Sequence, residues 1–370
     1  MKKILITSTE LMMIQFLVPH VKNLAANGFR VEIACSEVGG RLQEVRDALA
    51  DTVDAIHVLR LERSPVSPRN LLGFGDMRKL LRKNRYDIIW TNEPVMGVVT
   101  RLAANKYRRK GTQVVYMCHG FHFFKGANKL NWLVFYPIEK FLSRMCDRIV
   151  TINREDEARA KTFHCPRVEY IHGVGMDLTR FQGAVPQGDI RRELGLPAEA
   201  YLMLSVGELN DNKNHRTVIR ALAQLKDPSA HYLICGIGDR KEQLIQLARE
   251  LGLQNNVHFL GYRRDIPDIC RRADVFLFPS FREGLPFALM EAMASGLAII
   301  SSRIRGAVDL IEDGKGGILC DPNSVEDFVR ALQRVRDMDR EKMAQRNEEI
   351  LCRYALQQSK EEILNLFRMI

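Results

Sequence analysis

Lys3-Ile4-Leu5-Ile6-Thr7, a helical stretch from Phe16 to Asn27, and Arg30-Val31-Glu32-Ile33-Ala34-Cys35 stand in that order at the start of the chain. The two β-branched runs have strand length and the stretch between them has helix length, so the segment reads β-α-β. Gly28 falls just past the last helical position, where a left-handed residue closes a helix at least cost. Two strands joined through a helix run parallel, and a parallel sheet needs helices on its faces. This segment therefore assigns the chain to the α/β class.

Moving outward, the alternation continues. Strands are predicted at Ala55 to Leu59, Ile88 to Thr91, Val114 to Cys118 and Arg148 to Ile152, with helices near Arg69 to Asn84 and Gly97 to Tyr107. A second series starts near residue 200. Its strands are Tyr201 to Val206, His231 to Cys235, Val257 to Leu260, Val275 to Phe278 and Ala298 to Ser301. Its helices are His215 to Leu225, Arg240 to Leu251 and Pro286 to Ala294. Two domains suit a length of 370 residues. The most linker-like stretch, Phe181 to Pro197, holds Gly183, Pro186, Gly188, Gly195 and Pro197, and marks the boundary. The expected division is 1–180, 181–345 and a helical end at 346–370, within a helical stretch that starts at Asp337.

Composition narrows the function classes. With 46% hydrophobic and 27% charged residues the chain is neither disordered nor a disulfide scaffold. Its eight cysteines are scattered, without a C-x-x-C pair or clustered histidines, which predicts reduced thiols in a cytosol and no structural metal. Polar residues from Thr7 to Glu10 interrupt the first apolar run, so no signal peptide is expected. Leu11 to Val18 falls far short of the roughly 20 residues of a membrane span. The net charge of +10 is uneven: residues 1–175 carry 28 basic and 17 acidic side chains, the remainder 27 and 28. The first half therefore faces something anionic, either nucleic acid or a membrane surface.

In open α/β sheets ligands gather beyond the carboxyl ends of strands, so the loops that follow strands hold the candidates. In Phe278-Pro-Ser-Phe-Arg-Glu283-Gly284-Leu285-Pro286, a loop carboxylate precedes by eight residues Glu291, the one charge in an apolar helix. Gly284 lets backbone approach a ligand. Pro286 suits a first helical position, which would leave amides for a phosphate. Burying Glu291 alone costs several kcal/mol, so it meets a ligand's hydroxyls or else is a buried cap or half of an ion pair. Glu283 by itself reads as an exposed loop acid. Val206-Gly207-Glu208-Leu-Asn-Asp-Asn-Lys213-Asn214-His215 puts a cation near a helix start, either for a diphosphate or as a surface lysine. Val115-Tyr-Met-Cys-His119-Gly120-Phe121-His122-Phe-Phe-Lys125 runs from a strand into an aromatic turn. The aromatic stretch that follows, to Pro137, is either core or an acceptor-binding lip. Cys235-Gly236-Ile-Gly238-Asp239 lacks the third glycine of a dinucleotide fingerprint and is not read as one. Glu155-Asp156-Glu157 reads as the acidic first turn of a helix.

Taken together these segments resemble glycosyltransferase family 4, retaining enzymes of the GT-B fold. The resemblance is carried by Glu283-x7-Glu291, Ser205-Val-Gly-Glu-Leu-Asn-x-Asn-Lys213-Asn-His, Gly236-x-Gly238-Asp and His258-Phe-Leu-Gly261. Arg305-Gly306-x-x-Asp309 and Tyr170-Ile-His-Gly-Val-Gly-Met-Asp177 add to it. His119-Gly-Phe-His-Phe-Phe-Lys-Gly looks like the subgroup that builds capsule, exopolysaccharide or O-antigen repeats on lipid carriers. The resemblance implies two Rossmann-like domains with parallel sheets facing a cleft, the first for the acceptor and the second for a nucleotide sugar. The C-terminal helices would return to the first domain. It implies transfer of a hexose or N-acetylhexosamine from a UDP-sugar, with retention, to a polyprenyl-diphosphate-linked acceptor, without metal or cofactor.

Carried over residue by residue, Glu283, His119 and Lys213 would be catalytic. Gly207, Lys213, Asn214, Gly236, Tyr262, Arg263, Glu283, Gly284, Leu285, Pro286 and Glu291 would bind the donor. Phe121, His122 and Lys125 would meet the acceptor. Two departures stand out. Many members have Arg where this chain has Glu208, so either Arg282, Arg303 or Arg305 supplies the missing cation or Glu208 faces away from the diphosphate. The loop after the first strand also lacks the glycines of many relatives.

The basic clusters, Arg78-Lys79, Arg82-Lys83, Arg85 and Lys106-Tyr-Arg108-Arg109-Lys110, come without any nucleic-acid recognition motif. The plain reading is a solvated face. The functional one is peripheral docking through Arg82, Lys83, Arg108 and Arg109 on anionic lipid at the inner face of the cytoplasmic membrane. Two rival functions remain: a UDP-N-acetylglucosamine 2-epimerase-like isomerase, and a non-catalytic nucleotide-sugar-binding protein, the latter motivated by Glu208.

Overall fold

The computed structural model describes residues 1–181 and 188–370. The chain divides into two compact units. The first is Met1–Gly175 with Leu356–Ile370, the second Met176–Ala355.

Seven parallel strands form the sheet of the first unit: β1 (Lys3–Glu10), β2 (Arg30–Val38), β3 (Ala55–Val58), β4 (Ile88–Asn92), β5 (Gln113–Cys118), β6 (Arg148–Thr151) and β7 (Arg167–Tyr170). Their order is β3-β2-β1-β4-β5-β6-β7. The opening β-α-β unit is as read, with Ile4 paired to Val31 and Ile6 to Ile33. Its helix, Leu11–Ala26, starts five residues before the expected Phe16, because it follows β1 without a loop. Gly28 takes φ +87° just after it. Leu5, Ile89, Tyr116 and Ile149 from the sheet and Met77 and Val99 from helices make one core.

The second unit holds β8 (Tyr201–Val206), β9 (Ala230–Cys235), β10 (Val257–Gly261), β11 (Val275–Phe278), β12 (Ala298–Ser302) and β13 (Ile318–Cys320), in the order β10-β9-β8-β11-β12-β13. These strands are also parallel. Its core gathers Met203, Tyr232, Val275 and Ile300 under Ile219, Leu222 and Phe328.

The units divide at Gly175/Met176 and Ala355/Leu356 rather than at 180/181 and 345/346. Local bonding explains both places. Met176 N donates to the Tyr354 carbonyl within the second unit. On the first unit's side, Ser359 Oγ donates to the Gly173 carbonyl, and His172 is 2.7 Å from Glu362. Helix Leu356–Arg368 thus belongs to the first unit, with Trp90 and Phe367 rings 5.1 Å apart. It adds two basic and two acidic side chains, so that unit keeps its excess of eleven positive charges. Of the expected linker, Gly183 and Pro186 lie outside the described residues, and Ile190–Glu193 forms a short helix. All eight cysteines are free. Arg154–Ala160 is the helix whose first turn carries Glu155, Asp156 and Glu157.

Candidate functional site

Each sheet reverses its strand order once, between β1 and β4 in the first unit and between β8 and β11 in the second. Loops leaving such a pair of strands diverge and open a crevice at their carboxyl ends. Both crevices collect chemistry-bearing side chains.

In the second unit the loop after β8 and the loop after β11 are laced together. Phe281 N donates to the Asn212 carbonyl and Asn212 Nδ2 to the Arg282 carbonyl. This brings Lys213 Nζ to 2.7 Å from Glu283 Oε1 and 5.2 Å from the centre of the Phe278 ring. A side chain at Gly207 would press on Lys213, its Cβ 3.0 Å from Lys213 Cε. Glu208 is exposed and accepts from Asn210 Nδ2, while Asn210 Oδ1 accepts from Lys213 N.

Of the three arginines expected to replace the missing cation, Arg305 is the one held at this loop. It is buried, and its Nε donates to the Glu283 carbonyl at 3.1 Å. Gly306 permits the approach. It has φ +75°, and a Cβ there would lie 2.5 Å from the Gly284 carbonyl. Arg303 pairs instead with Asp313, and Arg282 is exposed.

Glu291 lies within helix Phe287–Ala294, half-buried. Its carboxylate has no hydrogen bond or ion pair among the described residues, so the ion-pair alternative for it falls away. Burial raises its pKa above the usual carboxylate value, with Arg180 opposing. Leu285 is buried. Pro286 is the residue before the first helical one rather than the first, and offers no side-chain cap.

Other residues expected on the donor have partners of their own. Asn214, buried with φ +53°, donates to the Pro279 and Pro322 carbonyls and accepts from Thr217, clamping three segments. Arg263 makes four hydrogen bonds to Glu193 and Asp265, which raise its pKa further. At Gly236 a Cβ would lie 1.8 Å from the Gly207 carbonyl oxygen, so this glycine serves the contact between the loops after β8 and β9. Tyr262 is exposed.

In the first unit, His119 follows β5, 3.0 Å from Asn92 Oδ1 at the end of β4, while Asn92 Nδ2 donates to the Thr7 carbonyl. The Asn92 oxygen thus accepts from His119 Nε2–H. Burial pushes the His119 pKa down to about 4, so the ring is neutral near pH 7 and Nδ1 is an acceptor. Glu93, which the sequence reading passed over, stands at the strand-order reversal with φ +66°. Its carboxylate accepts from Ser8 Oγ, Thr9 N and Glu10 N, and burial raises its pKa. These hydrogen bonds tie the loop after β1 to the end of β4. A pocket of about 330 Å³ opens here, lined by Glu10, Arg63, Glu93, His119, His122 and Phe135 among others.

Phe121, expected at the acceptor, is a core residue, 2% exposed and stacked 4.8 Å from Phe123. Its aromatic neighbours satisfy it where solvent would not. His122 packs on Phe135 at 4.8 Å. Lys125, Arg82, Lys83 and Arg109 are exposed. Arg108 is not available as a surface charge: its Nε donates to Asp147 at 2.9 Å, and Asp147 also accepts from Val114 N.

Comparison with known proteins gives the family. The pattern of Glycosyltransferase Family 4 matches residues 17–179 and that of Glycosyl transferases group 1 matches residues 186–350. The chain is 35% identical to "Putative glycosyltransferase EpsD" of Bacillus subtilis, over 85% of either chain. It is 31% identical to the UDP-Gal:alpha-D-GlcNAc-diphosphoundecaprenol alpha-1,3-galactosyltransferase of Escherichia coli, over 84% of this chain and 80% of that one. Among solved structures, HepE of Anabaena in complex with UDP superposes with a TM-score of 0.81 at 19% identity, covering all of both chains. With the fold and these relatives in agreement, the chain belongs to the family 4 glycosyltransferases of GT-B fold and is a transferase.

Proposed function

We propose that the chain transfers a hexose or N-acetylhexosamine, with retained anomeric configuration, from a UDP-sugar to a saccharide carried on a polyprenyl diphosphate, in bacterial surface-polysaccharide synthesis. The observation that carries this reading lies on the loops after β8 and β11 and the helix that follows: Lys213 against Glu283, Arg305 on the Glu283 carbonyl, and Glu291 half-buried with no hydrogen bond or ion pair to its carboxylate among the described residues. Glu291 suits a pair of ribose hydroxyls. In the transfer, the bond from the anomeric carbon to the diphosphate oxygen breaks, and the acceptor oxygen bonds on the same face. The acceptor's proton passes to the leaving diphosphate. Lys213 turns from Glu283 to that developing charge, with Arg305 as the second cation, so the proposal needs no metal. Glu283 is then released beside the sugar. Within the first unit, His119 presents Nδ1 as an acceptor for a substrate hydroxyl, and Glu93 holds the loop after β1.

The named specificity of the Escherichia coli relative supports the lipid-linked acceptor. Such an acceptor would make the chain a peripheral protein at the inner face of the cytoplasmic membrane. Among the described residues no helix is long and apolar enough to cross a membrane.

Mass spectrometry of reactions with a panel of UDP-sugars and a short polyprenyl-diphosphate saccharide tests the reading. The product should gain one hexosyl or N-acetylhexosaminyl residue, and Lys213→Ala should lower kcat by roughly 10²–10³-fold. Appearance of a 2-epimer without acceptor would instead establish an isomerase. UDP binding with no transfer to any acceptor would establish a binding protein.

A further inference from the structure

Two of the eight free cysteines, Cys146 and Cys165, are brought together by the sheet of the first unit. Their sulfurs lie 3.7 Å apart. The strand register explains the closeness. β6 and β7 run parallel with Arg148 opposite Arg167, and each cysteine stands two residues before its member of that pair. Carrying the register back sets Cys146 opposite Cys165 with both side chains on one face, because side chains alternate with a period of two. Adjacent strands are about 4.8 Å apart, inside the roughly 4.4–6.8 Å that a disulfide spans between Cα atoms. A further tie keeps the two segments level: His164 N donates to Ser143 Oγ at 2.9 Å. The sulfurs differ in access. Cys146 is buried and its thiol donates to Cys165 Sγ, while Cys165 is partly exposed. That hydrogen bond holds the Cys165 thiol below its usual pKa, with burial opposing and Arg108 assisting, and it raises the Cys146 thiol together with burial.

We propose that Cys146 and Cys165 form a reversible dithiol–disulfide site that exchanges with low-molecular-weight disulfides. Cys165, the reachable sulfur, attacks first. It bonds to one sulfur of the small disulfide, the S–S bond there breaks, and the leaving thiolate takes up the Cys165 proton. Cys146 then attacks Cys165 Sγ, the mixed disulfide breaks, and the second small thiolate leaves with the Cys146 proton. Two protein thiols are oxidised to a disulfide and one small disulfide is reduced to two thiols. An accessible sulfur with a resolving cysteine at its side is the arrangement of a redox-responsive pair. The remaining cysteines lack it: Cys35, Cys118, Cys235, Cys270 and Cys320 are buried, and Cys352 is exposed. The bond fastens a segment that backs the pocket of the first unit. Phe163, two residues before Cys165, sets its ring 5.6 Å from Phe121 and 5.7 Å from Tyr136. Asp156 accepts from Phe121 N and Glu155 from Lys125 N. Residues 155–165 thus support the loop that runs from His119 to Lys125, and oxidation ties the far end of that support to the start of β6.

Incubation of the folded full chain with oxidised glutathione, quenching with N-ethylmaleimide and peptide mapping by mass spectrometry test the site. The wild type should yield a cross-linked peptide joining Cys146 to Cys165, and dithiothreitol should restore both thiols. Exposed Cys352 on the same chain should carry glutathione and so confirm that the reagent acted. Cys146→Ser should trap Cys165 as a mixed disulfide with glutathione, whereas Cys165→Ser should leave Cys146 a thiol. In urea unfolding followed by tryptophan fluorescence, the oxidised chain should shift its midpoint up by about 1 M, because the bond closes a loop of about 20 residues within the first unit, and dithiothreitol should abolish the shift. Recovery of Cys146 and Cys165 as thiols beside a modified Cys352 overturns the proposal, as does a cross-link that forms only in urea. So does an oxidised chain whose midpoint falls, since the bond would then distort the fold it is meant to fasten.

Discussion

At the scale of single residues, the Glu291 carboxylate is half-buried with no hydrogen bond or ion pair among the described residues, and its burial fixes the sign of its effects. Its folded pKa lies above the ordinary value because burial disfavours the charge. Above the unfolded pKa, near ~4.3, ionised Glu291 therefore costs stability, and below it the cost vanishes. Glu291→Gln should thus stabilise the ligand-free protein by about 1 kcal/mol at pH 7 and not at acid pH, in urea unfolding. The same change should weaken a UDP-hexose by roughly tenfold or more at pH 7, because hydrogen bonds to a charged acceptor are worth ~1.5–3 kcal/mol. Wild-type affinity should fall as the pH is lowered towards the raised pKa, while the variant stays flat. A destabilised variant with unchanged affinity would show that Glu291 serves the fold instead. Glu291 stands out in the sequence as the one charge of an apolar helix, whereas Glu283 and Lys213, in the loops after β11 and β8, read alone as an exposed acid and a surface lysine and gain a role only from the resemblance. Glu93, an acid between the end of β4 and Pro94, is not legible as a site residue because its partners Ser8, Thr9 and Glu10 lie far away in sequence and nothing local points to them. The clamping roles of Asn214 and Arg263 were not legible. Their partners Pro279, Pro322 and Glu193 are 65, 108 and 70 residues away, and nothing local announces them.

At the scale of elements, the donor crevice depends on how closely the loops after β8 and β9 pack. Gly207 N donates to the Cys235 carbonyl, Leu209 N to the Ile237 carbonyl, and Gly236 N to the Gly261 carbonyl. A Cβ on Gly236 would sit 1.8 Å from backbone oxygen, and one on Gly238 2.4 Å from the Leu209 oxygen, so no side-chain rotation relieves either. Gly236→Ala should cost about 2–4 kcal/mol in urea unfolding, at or beyond the upper range for overpacking. UDP affinity should fall with it, since the displaced loop carries Lys213. Gly75→Ala is the contrasting case: in helix Arg69–Lys83, with nothing within 4 Å of the added Cβ, it should be neutral or stabilise by up to ~1 kcal/mol. Equal costs at the two sites would contradict the packing argument. Most strands were readable because apolar β-branched runs have few other uses. β7 and β13 escaped notice, being edge strands of four and three residues that carry too little pattern. Helix Lys129–Leu142 escaped for a different reason. Apolar side chains such as Leu130, Leu133 and Phe141 are exposed while Glu139 is buried, so the usual apolar-in, polar-out pattern that marks a helix is inverted.

At the scale of the molecule, acid should act on both units through buried histidines. Burial pushes His20, His119 and His215 from the ordinary 6.5 down to about 4. The first two belong to the first unit and the third to the second. A histidine whose folded pKa is depressed is neutral in the fold but protonates in the unfolded chain below pH 6.5. Its contribution is thus fully present above that pH and is lost as the pH falls towards 4. Each such group gives a slope approaching about 1.4 kcal/mol per pH unit inside that window. The carboxylates held low by partners, such as Glu32, Asp76 and Asp227, act below the window and leave its slope alone. Both tryptophans, Trp90 and Trp132, lie in the first unit, so their fluorescence follows that unit while far-ultraviolet circular dichroism follows both. Urea unfolding by tryptophan fluorescence should show stability level above pH 6.5 and falling between pH 6 and pH 5 with a slope of at most two protons, offset in part by Glu93, whose raised pKa makes the folded first unit take up a proton as the pH drops. His20 Nε2 lies 2.8 Å from the Val174 carbonyl, a contact that a glutamine amide can reproduce. His20→Gln should therefore keep the fold and remove about one proton from the slope. A slope that stays the same in this variant, or a stability that does not change from pH 6.5 to pH 5, would mean that these rings reach solvent when the protein is folded.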